Sequence, residues 1–66
     1  MSEKAIKEYL QLLSVKMSSM FDIPEDVAAN AIQKSVIQEL IRDMPEYVDH
    51  VPLSSWAEEI HKEMFA

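Results

Sequence analysis

The 66-residue chain contains no cysteine and no glycine. Without cysteine there is no disulfide to restrict the unfolded ensemble and no thiolate for a metal, and two histidines are too few to close a zinc site unless carboxylates join them. Without glycine, the positive-φ turns that hairpins commonly use lose their default residue. A glycine-free chain is most easily built from helices joined by proline- and aspartate-containing turns. No apolar run exceeds three residues, far short of the roughly 20 that cross a bilayer. The first residues, MSEKAIKEYLQLLS, are mixed in charge and lack the apolar stretch of a signal peptide, so the expected location is the cytoplasm.

Bases are scarce. Six Lys and Arg stand against twelve Asp and Glu, for a net charge of −6. The first 38 residues carry five acids and four bases, whereas residues 39–66 carry seven acids and only Arg42 and Lys62. Phosphate backbones are held by clustered Lys and Arg, so this distribution argues against direct nucleic-acid binding. The segment FDIPEDVAANAIQKSVIQELI has the break-then-helix outline of a helix-turn-helix, but its only arginine is Arg42, farther along, and the overall charge opposes approach to DNA.

What the sequence does contain is helical periodicity. Ile6, Tyr9, Leu10, Leu13, Met17, Met20 and Phe21 recur at spacings of three and four, which places them on one face of a first helix from Ser2 to about Met20. Leu12 widens that face, Ser2 serves as N-cap, and Val15 falls among the polar residues opposite. Asp22 and Glu25 have the spacing of a capping box, and Pro24 suits a first helical turn. A second helix is predicted from about Pro24 to Asp43. Its apolar positions, Ala29, Ile32, Val36, Ile37, Leu40, Ile41 and Met44, fill nearly half its circumference, with Gln33 among them. That width implies either a central helix touching both others or a second apolar surface covered by a partner.

The stretch MPEYVDHVPLSSW interrupts the pattern. Pro45 and Pro52 disfavour helical geometry at Met44 and Val51, and Pro45 can open a single helical turn through EYVDH. A third helix is predicted from about Ser54 to Met64, capped by Ser54 or Ser55, with Trp56, Ala57, Ile60 and Met64 inward. The expected fold is therefore all-α: one domain over residues 1–66, a small three-helix bundle with a proline-flanked connector. Val48, Leu53 and Trp56 are expected to close its core, Trp56 alone contributing up to about 250 Å² of burial. The methionines at 17, 20, 44 and 64 read as core filling.

No catalytic signature is present. The chain lacks a nucleophile elbow, a zinc-protease helix and a phosphate loop, and no serine has the Asp-Ser-Leu context of an acyl carrier. Asp49 and His50 are adjacent and do not face each other on a helical turn, while His61 borders the third apolar stripe. No enzyme activity, cofactor or metal is expected. The sequence points to a protein partner, met by Ile37, Ile41, Met44, Tyr47, Val51 and Phe65 with an acidic rim of Glu58, Glu59 and Glu63. Self-association as a homodimer is the first reading. The second is an inhibitor or antitoxin-like regulator that covers a basic site on a target protein.

Overall fold

A computed structural model describes residues 2–65 as five helices: α1 (Glu3–Phe21), α2 (Glu25–Lys34), α3 (Ile37–Asp43), α4 (Pro45–His50) and α5 (Leu53–Phe65). Every described element is helical. α1 packs against both α2 and α5, α2 also touches α3 and α5, and α3 rests on α4.

The helix ends follow local chemistry. The Ser2 hydroxyl accepts from the Ala5 N–H at 3.1 Å and starts α1 as predicted. Asp22 is not an N-cap. It ends α1 in the left-handed conformation (φ 54°, ψ 48°), the position that glycine usually fills, and aspartate is among the few other residues that tolerate it. α2 then begins after Pro24 without a side-chain cap, and the Ser18 hydroxyl donates to the Ile23 carbonyl across the turn. Pro45 opens α4 as its first residue. α5 starts at Leu53, one residue earlier than predicted, with the Pro52 carbonyl accepting from the Ser55 and Trp56 N–H groups. Ser54 and Ser55 therefore lie inside its first turn instead of capping it.

The single helix predicted over 24–43 is two helices. Ser35 has an extended backbone (φ −87°, ψ 166°), and both its N–H (3.1 Å) and its hydroxyl (2.8 Å) donate to the Ile32 carbonyl. The Ile32 carbonyl would have bonded the Val36 N–H in a continuous helix. A serine side chain that takes over a backbone acceptor in this way competes directly with helix propagation. Val36 then restarts the helix, its carbonyl accepting from the Glu39 and Leu40 N–H groups.

This break reorganises the broad apolar arc. Ile32, Ile37 and Ile41 enter a core completed by Leu13, Met17, Val48 and Ile60, all essentially inaccessible. Each such side chain stabilises the fold by about 1.5–3 kcal/mol relative to exposure. Trp56 and Val48 are buried, and Leu53 is half-buried against the core. Of the methionines, Met17 is in the core and Met64 half-buried, while Met20 and Met44 are exposed. Leu12 does not widen the buried face of α1: it is 58% exposed, and Val15 is 45% exposed.

One backbone group joins three elements. The Val48 carbonyl lies in the last turn of α4, where helical carbonyls lack intrahelical partners. It accepts from Trp56 Nε1 of α5 at 3.0 Å and from the Tyr9 hydroxyl of α1 at 3.3 Å. At the far end of α1, the Phe21 ring stacks on His61 with centroids 3.9 Å apart, and His61 in turn stacks on Phe65 at 5.4 Å.

Candidate functional site

The nine residues expected to meet a partner separate into distinct places. Ile37 and Ile41 belong to the core, at 0% and 1% exposure, and cannot form an outer surface. The bend at Ser35 is the reason, because it turns that half of the arc inward. Val51 is half-buried against the core. Met44 and Tyr47 are exposed at 48% and 53%. Phe65 is 43% exposed and lies against His61, and Glu58, Glu59 and Glu63 are all on the surface of α5.

The other half of the arc forms a continuous row. Leu40 N–H bonds the Val36 carbonyl (3.2 Å) and Met44 N–H bonds the Leu40 carbonyl (2.7 Å), so the three residues stand one above another along α3. Val36 is 50% exposed and Leu40 half-buried, which leaves an apolar stripe leading to Met44 and Tyr47. The Tyr47 ring meets the Trp56 ring edge-on, with centroids 5.9 Å apart and planes at 82°. Beside this stripe, Val36, Ile37, Trp56 and Ile60 form the floor of a shallow groove of about 450 Å³ bordered by Glu59, Lys62 and Glu63. Glu58 and Phe65 do not line it.

Exposed Val36, half-buried Leu40 and Lys62 at the rim are not among the residues expected to meet a partner. The signal was present in the arc, since two apolar rows on one helix cannot both face one neighbour. Choosing which row turns outward required the bend. Gln33, in the middle of the predicted arc, is exposed.

Tyr9 is half-buried on α1, packed against the core. Burial, and secondarily the negative charge of Asp49, push its phenol above the ordinary tyrosine value. Its hydroxyl is committed to the Val48 carbonyl, a structural role. His50 is exposed on α4 and His61 is half-buried, stacked on the Phe21 and Phe65 rings; among the described residues no three His, Asp or Glu side chains converge as a metal site. Every buried side-chain polar atom among the described residues has a hydrogen-bond partner.

The fold and this surface define an all-helical chain in which no described helix is long and apolar enough to cross a membrane. The chain matches no known protein family, no curated protein and no solved structure.

Proposed function

We propose that this protein is a non-enzymatic interaction module that binds a second copy of itself through the stripe Val36, Leu40, Met44 and Tyr47. The observation that carries this reading is the division of one apolar arc into a buried row and an exposed row within the same short helix. An exposed apolar row beside an aromatic pair and bordered by charge has the composition of an interface core with a polar rim. In this reading α1, the bent α2–α3 unit and α5 act as the three rods of a small bundle, with α4 as the helical turn of its connector.

Sedimentation velocity over a wide concentration range tests it. The unmodified chain is expected to gain mass with concentration, and Val36→Asp combined with Met44→Asp is expected to weaken that association by more than about tenfold, since charges buried without partners oppose association. A constant monomer mass at all concentrations overturns the proposal. The acidic rim of Glu59 and Glu63 favours a second reading, inhibition of a basic target protein. That reading expects a defined basic partner to be lost when Glu58, Glu59 and Glu63 are reversed to lysine, and retention of the partner by that variant rejects it.

A further inference from the structure

A larger groove, about 670 Å³, runs between α1 and the α2–α3 unit, with Ile6, Leu10 and Ile32 on its floor. Its charged residues are Lys7, Arg42 and Glu3, all exposed. In a chain of net charge −6, this groove carries two bases and one acid. The rim beside the apolar stripe has the opposite composition, two acids and one base: Glu59, Glu63 and Lys62. The two surfaces share an apolar centre and have complementary charges.

Their placement on α3 is equally informative. Arg42 lines the groove and Leu40 belongs to the stripe, and residues two apart on a helix point about 160° away from each other. The groove and the stripe thus occupy opposite flanks of α3, with the buried row of Ile37 and Ile41 between them.

We infer that the stripe of one copy docks into the α1–α3 groove of the next, head to tail, with Glu59 and Glu63 facing Lys7 and Arg42 of the neighbour. This rests on the reading that the stripe binds a second copy, and it names the surface that receives it. A pair joined in this way leaves one stripe and one groove free on opposite flanks, so two copies do not satisfy both surfaces. Association continues beyond the dimer, into a ring or an open row, as heterologous contacts do. Because the contact pairs opposite charges at an accessible rim, it weakens as salt is raised.

The test is sedimentation velocity on the full chain at low and physiological salt, with the variants K7E/R42E and E59K/E63K examined separately and in an equal mixture. All four positions are exposed, and circular dichroism checks that the helices persist; K7Q/R42Q replaces the first variant if it does not fold. Each variant alone is expected to associate more than about tenfold less tightly. The mixture is expected to recover, because a reversed groove again meets a reversed rim, and the unmodified chain is expected to form species larger than a dimer that lessen with salt. If K7E/R42E associates as the unmodified chain does, the groove is not the acceptor. Loss of that association in the Val36→Asp, Met44→Asp variant would then leave the stripe intact as a binding surface, whereas a chain that is monomeric throughout removes both proposals.

Discussion

At the scale of single residues, the Val48 carbonyl is the most informative group. A carbonyl oxygen has two acceptor positions, and here both are used by side chains from two other helices, Tyr9 of α1 and Trp56 of α5. Removing one donor leaves the other in place. Tyr9→Phe is therefore expected to cost only about 0.5–1 kcal/mol, and Trp56→Phe about 2–3 kcal/mol because it also removes buried ring volume. Removing both strands a buried acceptor, whose desolvation costs a further 1–3 kcal/mol or so. The double variant should therefore be less stable than the sum of the singles by more than about 0.5 kcal/mol in urea unfolding, and strict additivity would show that the shared carbonyl does not couple them. Tyr9 also gives the fold an alkaline limit. Its folded-state proton is held above the usual value near 10, so below that pH both states are protonated and stability does not depend on it. As pH rises further the unfolded chain loses its proton first, binds fewer protons than the folded chain, and stability falls. Unfolding midpoints at about pH 8 and about pH 10.5 should separate more for the unmodified chain than for Tyr9→Phe, and equal separations would remove Tyr9 from the account.

At the scale of elements, the break between α2 and α3 decides which surface is core and which is outside. Val36 follows an extended residue and has φ −63°, the geometry that proline and the residue before it prefer. Val36→Pro is accordingly expected to be tolerated or to stabilise by about 0.4–1 kcal/mol through the unfolded state. In an uninterrupted helix the same change would cost about 3 kcal/mol, so a thermal melt distinguishes the two backbones directly. The contrast also explains what the sequence could reveal. Ser2, Pro45 and the heptad-like spacing of α1 are local signals, and each marks its element within a residue or two. The bend has no proline or glycine. It depends on which acceptor the Ser35 hydroxyl takes, and that choice is made favourable by burying Ile37 and Ile41 against residues from other helices. For the same reason the candidate surface was half legible: Met44, Tyr47, Glu59 and Glu63 were named from pattern, but Val36 and Leu40 could be told from Ile37 and Ile41 only once the direction of α3 was fixed. Asp22 has the local outline of a cap, an aspartate before a proline and a glutamate, and nothing local in the sequence marks it as a left-handed residue in a chain without glycine.

At the scale of the whole molecule, the question is whether the exposed stripe reflects an incomplete fold or a complete fold with a spare surface. The Cα radius of gyration is 10.8 Å, and a lone compact chain of this length is expected at about 10.8 Å. The accessible surface is 4524 Å², against about 4,300 Å² for a monomer of this mass. Both values match a compact single chain, in which Leu13, Met17, Ile32, Ile37, Ile41, Val48 and Ile60 are enclosed within one copy. On the proposal that the stripe binds a second copy, that copy adds stability by mass action without being required for folding, which gives the dilution behaviour a definite form. Above the association threshold the melting temperature should fall with each tenfold dilution, by about 1.4 kcal/mol of lost linkage or less, equivalent to several degrees in a domain of this size. Below the threshold it should reach a floor, with the far-ultraviolet helix signal still native. An obligate oligomer has no such floor, because its unfolding follows concentration down to the unfolded chain. If dilution removed the helix signal together with the association, the seven enclosed side chains would not be a sufficient core, and the stripe would have to be counted among the residues that hold the fold together.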